Sequence, residues 1–419
     1  MFEKITPLKT EDHTAALYTC NTHTPYKSPL ESPMIPWATV PVAYVTDNSP
    51  QHYFQGKEAF LVIANLISST LGRPTAVCVL SGTLAGAANW EGVSIEQQYR
   101  AVTESAGVFE ASAMTYLRLT GPDAENVLNM LTPRDMRQLK PGRAMFILCT
   151  TPFGTVDNEA VVLRLSEHEF LVSCCAGKPL SWLYHAMNVF PKVVVSLAET
   201  ISFNIKGPKR VEAMQALLHV SDRNTVETLP VFHWCQAKFL DGNPVWLVKT
   251  KIGLEMWGTL EVISHAWKHM LNQPALYVPC GWDMLHVYRM ECQDILFTLY
   301  PLDIHDDTTL WEIGCGWMTS MKNRDYIGED ALMKKENQKR FTLKKIKALD
   351  PSSNAAKVGT MLSKDNGDFA GYVTSSAFSI RAERAVAFAH LTRECMHEDP
   401  LFVSSTHEVW HVDAQAPVP

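Results

Sequence analysis

The sequence predicts an α+β protein in which a strand–turn–helix unit occurs twice and a small β-barrel closes the chain. Three observations carry this. Gly121-Pro122-Asp123 and Gly207-Pro208 each follow a β-forming run and precede a helical apolar pattern, 86 positions apart (121 to 207). Hairpin signals lie between and after the two units. Beyond about residue 338 the chain turns to short strands separated by turns.

Residues 1–90 form an N-terminal segment with prolines at 25, 29, 33, 36 and 41 and little periodicity. Within it, 57–82 reads as a helix followed by a strand over Ala76–Leu80, an insertion attached to the first lobe or a small extra lobe. Ser94 and Gln97 make a capping box, Ile95, Tyr99, Val102 and Ala106 follow at helical spacing, and Gly107 is the stop. Thr115–Thr120 is a strand. The Gly121-Pro122 turn then opens a helix carrying Val127, Leu128 and Leu131, with proline in the first turn, where a missing N–H costs nothing. The second unit repeats this pattern, with strand 202–206 and a helix carrying Val211, Met214, Leu217 and Leu218.

Pro152-Phe153-Gly154 precedes a strand over Val156–Leu165, and Asp241-Gly242-Asn243 joins Gln236–Leu240 to Val245–Lys249. Short strands over 341–346, 359–363, 371–375, 384–391 and 408–412, with a turn at Asp365-Asn366-Gly367, read as the barrel. The predicted layout is thus 1–90, a first α+β lobe over 91–200, a second over 201–338 and the barrel over 339–419.

A chain of 419 residues, 46% hydrophobic and 19% charged, has ample core for several domains. Its formal charge of -7 argues against a nucleic-acid or membrane-surface binder. The most apolar early stretch, Ala59–Leu71, is shorter than the roughly 20 residues of a membrane span. Met1-Phe2-Glu3-Lys4 lacks the basic start of a secretory leader. Ten cysteines without any CxxC pair read as buried thiols of a cytoplasmic protein, with no metal site.

Several segments resemble one family. Ser105-Ala-Gly-Val-Phe-Glu, Leu119-Thr-Gly-Pro-Asp-Ala and Leu139-Lys-Pro-Gly-Arg-Ala are similar to the opening core of the glycine-cleavage T-protein, the aminomethyltransferase. Leu302-Asp-Ile-His through Gly316-Trp317 resembles its "DI…TP-E-GLGW" signature, and Asp325-Tyr-Ile-Gly-Glu-Asp-Ala-Leu its "FIG-EAL". Gly371-Tyr-Val-Thr-Ser-Ser and Arg384-Ala-Val-Ala-Phe-Ala match its last barrel. The matches are collinear over about 90–419. This resemblance implies a three-domain cloverleaf around a central tetrahydrofolate pocket, with a ferredoxin-like middle domain. Thr151-Pro-Phe-Gly and Gly253-Leu-Glu-Met-Trp-Gly are locally closer to the tetrahydrofolate-dependent O-demethylases. The folate-binding iron–sulfur maintenance branch is set aside, because Lys322-Asn-Arg-Asp-Tyr-Ile-Gly lacks that branch's cysteine.

Glu255 is the first candidate binding residue. A pterin presents adjacent N–H donors that one carboxylate can accept in a fork, and a carboxylate among Leu254, Met256 and Trp257 is costly to bury without such a partner. The resemblance places the family's pterin-gripping glutamate here. Trp257 and Phe146 are candidate pocket walls. Asn158 and Glu159 occupy the family's "G-x-V-I-D-D" turn, where the resemblance puts an aspartate beside the reactive folate nitrogens. Asn158 keeps the hydrogen bonding but cannot hold a proton, whereas Glu159 supplies a carboxylate. Tyr288 is a candidate acid or orienting hydroxyl in one register, while in another Arg289 and Glu291 match the T-protein's "L-R-L-E". His233 and Trp234 follow Pro230 in a loop expected near the pocket. Ala113 and Cys175 stand where the vanillate-type enzymes have histidine and arginine, which removes the partners of a methoxybenzoate.

The function expected is transfer of a methyl group from a small methylated donor to tetrahydrofolate, without a carrier protein. The alternatives are aminomethyl or methylene transfer of the glycine-cleavage type and non-catalytic folate binding.

Overall fold

The computed structural model describes residues 52–72, 74–80, 83–174, 180–251, 253–292, 303–319, 325–395, 401–404 and 409–412, with short paired strands inside 2–20. Cys175, one of the departures named above, lies outside the described residues.

Two antiparallel-dominated sheets and a closed barrel make a mixed α/β architecture. The five-stranded sheet runs, in spatial order, Val194–Leu197, Thr115–Thr120, Glu169–Cys174, Val156–Ser166 and Ala144–Thr150. The six-stranded sheet runs His233–Lys238, Pro244–Lys249, Leu254–Gly258, Ile201–Lys206, Gly107–Glu110 and Val278–Cys280, the last pair parallel. The barrel closes through Phe341–Ala348, Arg384–Thr392, Phe369–Ser379, Met361–Ser363, Leu401–Ser404 and Val409–Val412.

The capping box forms: the Ser94 hydroxyl accepts from Gln97 N, and Gln97 Oε1 accepts from Ser94 N at 2.8 Å, starting helix Ile95–Glu104. Gly107 does more than stop that helix. It opens the strand Gly107–Glu110, which leaves its sequence neighbours and pairs with Ile201–Lys206. Both Gly-Pro turns take a left-handed glycine, φ +123° at Gly121 and +108° at Gly207. A Cβ there would meet a carbonyl oxygen, that of Lys192 at 2.4 Å or of Ser105 at 2.5 Å. Glycine is therefore required in both copies of the unit, ahead of helices Ala124–Leu131 and Arg210–Ala216.

Each sheet buries one face under helices. Behind the six-stranded sheet, Phe203, Ile205, Leu247 and Met256 pack with Val262, Ile263 and Trp267 of helix Leu260–Leu271. The segment read as an insertion supplies helix His52–Leu71, whose Ile63, Ala64 and Ile67 enter this same core beside the six-stranded sheet. Behind the five-stranded sheet, Ile147, Val162, Phe170 and Val172 pack with Val127, Leu128 and Leu131. The opposite faces meet each other through Tyr116, Ala144, Leu163, Leu171, Val248 and Trp257. Among the described residues, no helix is long and apolar enough to cross a membrane.

A buried ion pair is hydrogen-bonded to the barrel. Arg289, on helix Trp282–Glu291, donates from Nη1 to Asp303 Oδ2 at 2.7 Å, and both side chains are wholly buried. Asp303 Oδ1 accepts from the hydroxyls of Thr374 (2.7 Å) and Ser375 (2.5 Å) on a bulged barrel strand. Arg289 Nε donates to His286 Nδ1 at 3.2 Å, and His286 Nε2 faces the Ser376 carbonyl at 2.9 Å. Burial and the Arg289 charge depress His286 to about 3, so the imidazole is neutral. Asp303→Asn leaves the Arg289 charge buried without its counter-ion, and unfolding in urea is expected to show a loss of about 3–5 kcal/mol. Replacing both partners by leucine and methionine is expected to recover most of that loss.

Candidate functional site

Polar side chains concentrate where the two sheets face each other. Strand Ile201–Lys206 alternates: Phe203 and Ile205 enter the core, while Asn204 and Lys206 lie on the other face. Asn204 is directly opposite Glu255 on the neighbouring strand. Its Nδ2 donates to Glu255 Oε1 at 2.9 Å, and Trp257 Nε1 donates to Glu255 Oε2 at 2.7 Å. Burial pushes Glu255 above the ordinary carboxylate range, opposed by the Trp257 bond, the Lys206 charge and the Asn204 bond. Lys206 is itself buried and pulled down to about 8, although Glu255 favours its charged form. Its Nζ lies 5.6 Å from the Phe109 ring centre and 5.9 Å from that of Tyr288.

Trp257 is fully buried and meets Tyr116 edge to face at 5.0 Å; the Tyr116 hydroxyl donates to Ser202 Oγ at 2.6 Å. Glu255 is thus both held and oriented. Among the described residues, two buried acceptors nearby make no hydrogen bond, Asn204 Oδ1 and Glu110 Oε2. Burial raises Glu110 to about 7, while Ser112 N donates to its Oε1.

The hairpin residues divide. A bulge separates Val156 from Asn158. Asn158 is paired with Cys149, part of the core behind the five-stranded sheet, and Glu159 with Leu148, part of the cluster that reaches the barrel. The two side chains therefore leave opposite faces of the strand. Asn158 is fully buried, and its Oδ1 accepts from Glu159 N at 2.7 Å. Burial raises Glu159 to about 8; Arg289 opposes this and Asp303 adds to it. Glu159 is protonated at neutral pH and faces the ion pair.

Phe146 lies two residues from Leu148 on the adjacent strand, partly buried in the cluster with Trp311 and Val386. Val161, two residues beyond Glu159, packs in the inter-sheet cluster with Trp257, two residues beyond Glu255. The carboxylates thus project from facing sheets toward one interlayer. Tyr288 lies apart, on helix Trp282–Glu291, beside Lys206 and a cavity lined by Arg210, Glu291, Cys292 and Arg381. Arg289 and Glu291 act in packing: the first pairs with Asp303, and the second accepts from Tyr99, Ser379 and Arg381 N.

His233 and Trp234 belong to the edge strand His233–Lys238, a correction to the loop expected there. Trp234 Nε1 donates to the Arg164 carbonyl at 3.0 Å and Arg143 Nε donates to His233 Nε2 at 3.2 Å, so both ride on the five-stranded sheet. The sequence reading passed over Asn204 and Lys206. Their signal is the polar residue at every second position of Ser202-Phe-Asn-Ile-Lys, a face that an apolar interlayer does not explain.

Two facing sheets and a closed barrel, with a carboxylate held between the sheets, define a mixed α/β class, and comparison with known proteins makes it specific. Residues 49–323 match the GCVT N-terminal domain, and the chain belongs to that family, the T-protein superfamily. It is 28% identical over 313 residues to an aminomethyltransferase of Thermotoga neapolitana, covering 72% of this chain and 82% of that one. It is 26% identical over 309 residues to the heme-dependent oxidative N-demethylase gamma subunit of Ectopseudomonas mendocina, covering 71% and 80%. The glycine cleavage system aminomethyltransferase T from Bartonella henselae shares the fold, with a TM-score of 0.72 over 84% of this chain and 95% of that chain, at 16% identity.

The family's cofactor is tetrahydrofolate, and its members are enzymes that transfer one-carbon units with it. The residues here fit that group. A partly covered carboxylate beside a buried, unpartnered acceptor, Asn204 Oδ1, suits the adjacent N–H donors of a pterin edge. Glu255→Gln replaces one acceptor oxygen by a donor, and tetrahydrofolate binding followed by calorimetry is expected to weaken by about 10–100-fold. Unchanged affinity would place the pterin elsewhere.

Proposed function

We propose that the protein is a tetrahydrofolate-dependent methyltransferase that demethylates a small O-, S- or N-methylated donor in the cytosol. In this reading the three lobes of the cloverleaf follow residues 91–200, 201–338 and 339–419, the middle one ferredoxin-like, with strand Gly107–Glu110 crossing from the first segment into the sheet of the second. The observation that carries the reaction is Glu159, an interlayer carboxyl that keeps its proton up to about pH 8.

Tetrahydrofolate supplies a neutral amine nucleophile, N5, so the protein need not provide a strong base. The demands on the protein are alignment and a proton for the departing heteroatom. Glu255, oriented by Asn204 and Trp257, grips the pterin, with Trp257 and Phe146 as walls. Glu159 gives its proton to the departing oxygen, sulfur or nitrogen, and the carboxylate left behind faces Arg289, whose charge favours it. Asn158 has no titratable proton, and its Oδ1 braces the Glu159 backbone N–H. Tyr288 orients the donor from the cavity side. No carrier protein is needed for a free small donor.

A second reading, aminomethyl transfer, has support in the names of several relatives, among them the Thermotoga neapolitana protein. Mass analysis of the folate product decides between them. Incubation with tetrahydrofolate and a panel of methylated donors is expected to yield 5-methyltetrahydrofolate; formation or consumption of the 5,10-methylene form establishes the second reading instead.

The acid role also sets a pH dependence. Glu159 is raised, so its acid form persists below about 8 and is lost above it. The turnover rate is expected to be flat below that pH and to fall about tenfold per unit above it. Glu159→Gln should lose most activity and the descending limb. A limb that survives in this variant would assign the proton to another group.

A further inference from the structure

We propose that a cavity of about 580 Å3, lined by Arg210, Arg381 and Tyr288, is a subsite for the carboxylate of an organic acid. This rests on the one-carbon reading above, which brings two acids to the protein: a methylated donor acid and the glutamyl end of folate.

The cavity lies where the barrel meets the six-stranded-sheet unit. Arg210 follows the second Gly-Pro turn and is half-buried, its Nη1 donating to the Gly207 carbonyl at 3.1 Å. Arg381 stands in the turn between barrel strands Phe369–Ser379 and Arg384–Thr392, with its side chain 69% exposed. Tyr288 reaches the same space from helix Trp282–Glu291. All three side chains line the one cavity, and both guanidinium charges oppose the upward push of burial on the Tyr288 hydroxyl.

One carboxylate borders the cavity, and its oxygens are already engaged. Glu291 Oε1 accepts from Ser379 Oγ at 2.8 Å and from Arg381 N at 3.0 Å, and Oε2 accepts from the Tyr99 hydroxyl at 2.8 Å. Its ion contact with Arg381 Nε is long, 3.9 Å. Two guanidiniums against one such carboxylate leave an excess of one positive charge, which suits a monoanion better than a phosphate. Lys206 connects the cavity to the interlayer, since its ammonium lies 5.9 Å from the Tyr288 ring and interacts with Glu255. An acid anchored here is one side chain away from the proposed pterin site.

Calorimetry on the full chain tests this with wild type, Arg210→Gln and Arg381→Gln. The probes are tetrahydrofolate, the tail-less 6-methyltetrahydropterin, and N,N-dimethylglycine and 3-methoxybenzoate beside their neutral amides. If the folate tail occupies the cavity, each substitution weakens tetrahydrofolate about tenfold and leaves 6-methyltetrahydropterin unchanged. If a donor occupies it, a methylated acid binds more tightly than its amide and loses about tenfold, while both pterins are unaffected. Equal affinity of wild type and variants for every probe, or acids that bind no better than their amides alongside unchanged tetrahydrofolate, overturns the subsite. Glu255→Gln is run in parallel. Loss of both pterins in that variant keeps the folate reading even where the subsite fails, retention of both places the pterin away from Glu255, and failure of the wild type to bind either pterin removes the folate reading itself.

Discussion

The buried pair of Arg289 and Asp303 is the contact on which the arrangement depends. Two charges taken wholly out of water carry a desolvation cost of several kcal/mol each, and their attraction repays it only with good geometry and satisfied neighbours. The neighbours come from separate parts of the chain. Arg289 belongs to the helix that also carries Tyr288 and Glu291, while Asp303 begins the segment leading to Trp311 and Glu312. Thr374, Ser375 and the ring of His390, which reaches the Asp303 carbonyl at 2.9 Å, belong to the barrel. An apolar contact would tolerate sliding among these elements, but a hydrogen-bonded ion pair does not. Breaking such a pair is costly because it strands a buried charge, and its geometry sets a positive charge near Glu159.

The two interlayer carboxylates show how surroundings separate their roles. Glu255 has an indole N–H, an amide N–H and the Lys206 ammonium, each favouring the ionised form against burial. Glu159 has Arg289 alone on that side of the balance, and the Arg289 guanidinium is already committed to Asp303, whose charge pushes Glu159 the other way. The same residue type therefore accepts two side-chain hydrogen bonds on one sheet and is pushed toward its protonated form on the other. Burial is the first cause in both, and the difference lies in how many partners each carboxyl keeps against it.

Local rules made much of the fold legible. The Ser94–Gln97 box and the two Gly-Pro turns depend only on neighbours in sequence, and their backbone requirements are strict. Closure of the last strands into a barrel was readable from short runs and an Asn-Gly turn. Long-range pairing was not. Gly107–Glu110 is four residues long, and nothing in so short a strand says which sheet edge it joins. Helix His52–Leu71 likewise carries an apolar face that would fit any core. The same limit governs the site. Glu255 stands out as a charge in an apolar strand, whereas Asn204 becomes its partner only through the register Asn204 to Glu255, and Tyr288 belongs to a cavity whose cations arrive from residues 210 and 381.

The bulge at the Val156–Asn158 hairpin explains the pairing of an amide with an acid at consecutive positions. A bulge places two successive residues against one partner and so turns Asp157 and Asn158 toward the same side, away from Glu159. Asp157 there is buried and accepts from Ser181 N at 3.1 Å. A second carboxylate at position 158, fully buried beside it, would set two like charges in one core, which disfavours ionisation of both. Asparagine keeps the oxygen that accepts the Glu159 N–H and carries no charge. The neutral residue at 158 is thus what the bulged backbone and its acidic neighbour allow, and the proton-holding group moves one position along the strand, to the face that meets Arg289.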